Sequence, residues 1–400
     1  MKRYYEIFRA YPYLFLSLPL SLIWLVIILL IRPFIQTRIY LIRSNRIGHF
    51  AADIELHICE KKEQHRKELS LFYFARPACN KQLAKMWRRK IIIFPPFFLR
   101  PLDYLIRNIG FLHSFVGTTM NFDRDILNLY DKYPAQISFT ASELIRGEKE
   151  LQELGIPRGN PFVCMIVRDG KYLSTECSTD FKNDYRNSNI QNYILAAEEL
   201  TLQEYYVIRM GAKVEEAIQS LDSKIIDYAS NGMRSDFMDI YLGAKCHFCI
   251  SVGTGFDAIP QIFRRPVVYV NMVPIGVIAT YRSQYLVITK HYYSIDENRE
   301  LTLKEIISCG AFLNNTSDYE LNRIQLIENT PEEIRDVVIE MVMRLDGSWK
   351  PGEDDEKLQH RFWEIFPSKA VASYNGRPLH GEIRSRFGAQ FLRNNSEWLM

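Results

Sequence analysis

The sequence predicts an α/β protein of two units, each with a parallel sheet, preceded by an N-terminal membrane helix. Three observations carry this. Short apolar runs alternate with amphipathic stretches along most of the chain, which places helices on the faces of parallel sheets. A Gly/Pro cluster, Gly155-Ile-Pro-Arg-Gly-Asn-Pro161, interrupts the alternation and reads as a linker. Tyr11–Ile31 is almost continuously apolar and uncharged, at about the 20 residues a bilayer core requires. The expected layout is 1–36 anchor, 37–155 first unit, 156–345 second unit and 346–400 helical tail.

The first strand is expected at 38–43, with a turn at 44–48 and a helix from His49 to about Glu63. An apolar run at 69–74, a helix at 81–88 and a strand at 90–94 complete the pattern. Beyond the linker, strands are expected at 162–167, 205–210, 224–228, 246–251 and 267–271. Helices are expected at 190–202, 214–220, 235–244 and 256–263. Thr330-Pro331-Glu-Glu opens a helix to Leu345, with a cap, Pro in the first turn and early acids. Another helix covers 354–366, and the rest reads as irregular.

In the apolar N-terminal run, Arg9 and Arg32 flank the segment and no small-residue pair marks a cleavage site, so it reads as uncleaved. Pro12 and Pro19 disturb a straight helix, which leaves a helix lying in the membrane plane as the alternative. The seven Cys are irregularly spaced and form no disulfide framework. That favours a reducing compartment, with the catalytic body on the cytoplasmic face of the inner membrane. Cys246-x-x-Cys249 lacks the second pair a zinc site needs and reads as core. No metal and no resident cofactor are expected. With 50 basic against 47 acidic residues, the net charge of +3 does not mark a nucleic-acid partner.

Three constellations could carry chemistry. Arg46-Ile-Gly48-His49 follows the first strand and opens a helix. Gly48 lets backbone approach a ligand, His49 supplies an imidazole, the residue type most often used as a general base, and Asp53, one turn on, could orient it. The bland reading is a capping turn with a surface histidine. Ser251-Val-Gly253-Thr254-Gly255 follows a strand and opens a helix, which suits a diphosphate. It lacks the dinucleotide-binding and P-loop signatures, and any α/β domain has such turns. Arg168-Asp169 ends another strand, followed by Tyr185-Arg186-Asn187. Two arginines there could clamp phosphates, or simply pair with neighbouring Asp residues. Arg209-Met-Gly211 ends a further strand. Open α/β sheets bind ligands beyond the carboxyl ends of their strands, so these ends converge on an anionic ligand.

Arg46–His49, Val167–Asp169 with Tyr185–Asn187, Arg209–Gly211 and Ser251–Gly255 together resemble a bacterial family of membrane-anchored glycosyltransferases with a GT-B-like plan. The resemblance covers about residues 36–345. It implies two Rossmann-like domains facing a cleft, with acceptor bound by the first and nucleotide-sugar by the second. It implies His49 as base and a membrane-proximal glycan or lipid-linked acceptor. The donor diphosphate would be met by Arg168, Arg186 and backbone amides rather than by a metal. A nucleotide-sugar epimerase, a pyruvyl-type transferase or a non-catalytic membrane-anchored assembly partner on the same scaffold are the alternatives.

Overall fold

The computed structural model describes residues 18–117, 124–171, 184–369 and 378–400. Two units divide the chain. The first runs to Asp123 and takes back Ala135–Ser138; the second is Arg124–Pro134 with Phe139–Met400. The Gly/Pro segment 155–161 therefore lies inside the second unit.

In the first unit, strands β1 (Gln36–Ile42), β2 (Glu68–Phe74) and β3 (Ile93–Phe94) form a parallel sheet in that order. Helix α1 (Leu18–Ile31) precedes it, and α2 (Ile47–Glu63), α3 (Lys81–Arg88) and α4 (Pro96–Asn108) follow in turn. A cluster of Ile28, Ile39, Leu71, Leu99, Leu102 and Ile106 joins α1, the sheet and α4. Phe50, Ala51 and Ile54 of α2 are also fully buried. Among the described residues no helix is long and apolar enough to cross a membrane. Of the predicted anchor 1–36, residues 1–17 lie outside the described residues, among them 11–17 of the apolar run. The remainder of that run is the 14-residue α1, which lays one stripe on its own unit rather than standing alone.

The second unit is built on a seven-stranded parallel sheet. Its strands are β4 (Phe162–Ile166), β5 (Tyr206–Met210), β6 (Ile225–Ile226), β7 (Cys249–Ser251), β8 (Val267–Met272), β9 (Tyr285–Thr289) and, from the tail, Arg386–Phe387. The spatial order is Arg386–Phe387, β9, β8, β7, β4, β5, β6. Counted from β4, the first six strands run 3-2-1-4-5-6, the doubly wound order. Every residue of β4, β7, β8 and β9 is buried, as their apolar runs require. Helix α5 (Ala141–Glu153) brings Gly147 against the Tyr241 ring of α7 (Asp236–Lys245), so closely that a Cβ would lie 2.0 Å from it. Helix α6 (Ile194–Leu202) packs on α9 (Pro331–Asp346), and α8 (Ala258–Ile262) on α7.

Three predicted features differ. No helix forms at 214–220. Asp169 accepts the Glu215 amide at 2.8 Å, Asp227 accepts that of Ile218 at 3.1 Å, and Arg209 takes the Glu216 carbonyl. Side chains thus occupy the groups a helix would use. The tail is not irregular throughout: Arg386–Phe387 adds the outer strand beside β9, with the Phe387 amide held by the Gln359 side chain at 3.0 Å. Cys246 and Cys249 are buried as expected, but His247 between them is exposed.

A small antiparallel sheet places β10 (His291–Ser294) between β11 (Arg299–Glu300) and β12 (Ile324–Ile327). His291 lies 3.1 Å from Glu300 and 3.0 Å from Glu333 in the first turn of α9. Burial alone would lower its pKa, but the two carboxylates outweigh burial and raise it from 6.5 to about 9. A group raised on folding stabilises fully below its unfolded pKa and loses that contribution as pH rises through the folded one. Stability should fall by about 3 kcal/mol between pH 6.5 and 9. Urea unfolding across that range checks it, and His291→Gln should flatten the profile.

Candidate functional site

The strand order of the second unit reverses between β4 and β7, where ligands of doubly wound sheets bind. Arg168-Asp169 follows β4, and Ser251–Gly255 follows β7. Ile166 pairs with Ser251, so the two loops leave neighbouring strand ends. Arg186 completes the group by donating from Nη2 to the Gly253 carbonyl. Its single described hydrogen bond leaves most of its five N–H donors available to an anion. Arg168 is half-buried beside it. Burial raises the Tyr185 pKa, and Arg186 and Arg168 both oppose that shift, so the two cations act on one hydroxyl.

The Ser251–Gly255 turn is a rigid object. Ser251 Oγ donates to Asp257 at 3.1 Å and accepts the Gly253 amide at 3.1 Å. Gly253 has φ +73°, which favours glycine, and a Cβ there would lie 2.8 Å from Met272 Sδ at the end of β8. Its amide is therefore engaged within the turn, so of the expected amides of Gly253–Gly255 this one is not free to bind phosphate. Thr254 Oγ1 and Asn187 Oδ1 are both shielded from solvent with no hydrogen-bond partner among the described residues. A buried polar atom left so is costly unless a ligand completes it.

Other predicted residues have structural duties. Arg209 is fully buried, its Nη1 2.7 Å from the Glu216 carbonyl and 3.2 Å from Asp227, so its charge is spent inside the unit. Asp169 holds the amides of Lys171 and Glu215. Gly211 is a packing glycine: a Cβ would lie 2.7 Å from Val214.

One part of this edge has no place among the sequence candidates. A cavity of about 330 Å³ opens beside Tyr185, lined among others by Asn187, Lys290, Tyr319 and Glu328. Lys290 follows β9, is buried, and donates to the Asn187 carbonyl at 2.6 Å with Glu328 at 3.7 Å. Burial lowers its pKa, against the pull of Glu328. The signal was readable: Tyr285-Leu-Val-Ile-Thr-Lys290 is an apolar run ending in a cation, the same pattern as the run before Arg168.

In the first unit, His49 sits in the opening turn of α2, whose N-cap is Arg46, and Gly48 is buried. The His49 imidazole is 3.7 Å from Asp53, too long for a hydrogen bond. Asp53 is instead gripped by Arg43 at 2.9 Å, which fixes its carboxylate next to the imidazole. A second histidine of α2, His57, lies within a buried network in which Tyr40 and Ser70 donate to Glu68 at 2.6 and 2.8 Å. Burial lowers the His57 pKa to about 4, so it is neutral and structural.

No protein-family model and no curated protein matches the chain. Among solved structures it is similar to the Escherichia coli ADP-heptose lipopolysaccharide heptosyltransferase II, at 12% identity and TM-score 0.40, over 63% of this chain and 90% of that one. It is similar to a glycosyl transferase family 9 protein from Veillonella parvula, at 9% identity and TM-score 0.42, over 78% and 97% of the two chains. A UDP-N-acetylglucosamine 2-epimerase structure from Listeria monocytogenes is also similar, at 12% identity and TM-score 0.29, over 79% and 98%. At these identities and scores the functional reading rests on the site's own geometry.

Proposed function

We propose that the chain is a glycosyltransferase that moves a sugar from a nucleotide-sugar to a glycan or lipid-linked acceptor at the cytoplasmic face of the inner membrane, without a metal. The observation that carries this is the pair Arg168 and Arg186 at the β4–β7 reversal, against a turn whose positive φ favours glycine. Two guanidinium groups with a shielded Thr254 hydroxyl suit a diphosphate. The adjoining cavity falls within the size range of small-ligand pockets and suits the donor's nucleoside or sugar. His49, with Arg46 and Gly48, is the acceptor side, as the family resemblance implies. The acceptor hydroxyl attacks the anomeric carbon, its proton passes to the imidazole, and the sugar–phosphate bond breaks. The departing diphosphate keeps the bonding pair and is stabilised by the arginines.

A thermal-shift screen of the full chain against UDP-, GDP-, ADP-, CMP- and dTDP-sugars tests this, because a ligand of the folded state raises the unfolding midpoint. One nucleotide class should stabilise at micromolar to millimolar concentration. Arg186→Ala should weaken that ligand by about 10- to 100-fold, the loss expected of one charge-assisted hydrogen bond. Stabilisation by no nucleotide-sugar, or equal stabilisation of the variant, overturns the donor site. Release of nucleotide with an altered free sugar and no acceptor product would mark an epimerase instead.

A further inference from the structure

We infer that the first unit binds an anionic lipid surface, with α1 lying in the membrane plane and its outer face among the acyl chains. Independently of the sugar-transfer reading, two features of this unit meet such a surface.

The first is apolar. Thirteen of the fourteen residues of α1 are apolar, and the exception, Ser21, is buried. Ile28 packs into the unit's core, and Trp24 meets Phe94 edge-on at 5.9 Å. The inner stripe is thus committed to protein. The outer face presents Leu22, Ile23, Val26, Ile27 and Leu30 to solvent, 40–69% exposed, and Phe34 just beyond is 88% exposed. Soluble surfaces seldom carry so continuous an apolar strip. The described part of α1, about 21 Å of helix, packs lengthwise on a protein body, which suits a helix lying along an interface.

The second is charge. Residues 1–123 hold 19 Lys and Arg against 8 Asp and Glu, a formal +11, so the rest of a +3 chain carries −8. The near-neutral total conceals this polarity. Among residues 18–117 not one carboxylate side chain is exposed, whereas Arg32, Lys85, Arg88, Arg89 and Lys90 all are. Of these, Arg32 and Lys90 adjoin the apolar strip, whereas α3, with Lys85 and Arg88, packs with α2 against Phe74 on the other face of the sheet. Arg32 ends α1 and lies 5.5 Å over Phe115, and Lys90 precedes the strand whose Phe94 touches Trp24. Exposed bases beside exposed hydrocarbon fit anionic headgroups over acyl chains, which attract each nearby Lys or Arg. A nucleic acid would have no use for the apolar strip.

Flotation of the full chain with phosphatidylglycerol-containing vesicles and with phosphatidylcholine vesicles tests this. The wild type should float with the anionic vesicles, weakly with the neutral ones, and dissociate in high salt or alkaline carbonate. Leu22→Ser/Val26→Ser/Leu30→Ser should lower partitioning to both vesicles by more than tenfold. Arg32→Gln/Lys90→Gln should lower it by about 30-fold on anionic vesicles only. Unfolding midpoints and donor binding should match wild type in both variants, which separates this result from the fate of the donor site. Flotation by both variants as by wild type overturns the surface, as does wild-type failure to float. Retention through carbonate marks a spanning segment instead. A dimer that the serine variant splits, without vesicle binding, assigns the strip to a second copy, and binding to nucleic acid but not vesicles assigns the charge elsewhere.

Discussion

Replacing His49 by alanine is expected to lower the transfer rate by about 10²- to 10⁴-fold, the range of a lost general base. Donor binding should stay within about twofold. His49 belongs to α2 of the first unit, whereas Arg168, Arg186 and the Ser251–Gly255 turn belong to the second. Single-turnover rates with a saturating donor separate the two quantities, and near-normal transfer by His49→Ala removes the base assignment. Asp53→Asn should be milder. Its carboxylate is held by Arg43 and stands 3.7 Å from the imidazole, so it fixes position more than it shares a proton.

Arg209→Met is expected to destabilise the second unit by about 3–5 kcal/mol, the loss typical of removing one partner of a buried ion pair. The guanidinium is 1% exposed and bridges Asp227 and the Glu216 carbonyl, so its removal unties the segment that follows β5. Urea unfolding measures the effect. Donor affinity of the surviving folded protein should be unchanged. A variant of normal stability that fails to bind donor would return Arg209 to the ligand.

Those two residues show what was legible. Strand ends can be read from sequence, because buried parallel strands are unbroken apolar runs and stop where polarity returns. Arg168, Arg209 and Ser251 were placed at strand ends on that basis, and each lies at or next to one. The direction of a side chain cannot be read so. Arg209 turns inward because Asp227, 18 residues on, lies beside it. Gly253's amide is spent because Ser251 folds back on it. The two-residue strand Arg386–Phe387 depends on Gln359 and on the distant β9, so it leaves no local pattern. β9 did leave one, and with it Lys290 and the cavity beside Tyr185 were within reach. For α1 the apolar run left both a spanning helix and one lying in the membrane plane open, because apolar periodicity alone does not show which side the protein covers.

The chain passes to the second unit at Arg124, back for Ala135–Ser138, and away again at Phe139. Three crossings make the units inseparable by one cut. A gene fragment begun at the Gly/Pro segment 155–161 would lack α5 and leave the Tyr241 ring without Gly147 to cover it. It would also lose Asp131, which pairs with Arg282 at 2.9 Å, and Asn128, which donates to the Tyr281 carbonyl at 2.9 Å. Chimeras that exchange the second unit must therefore transplant Arg124–Pro134 together with everything from Phe139 onward.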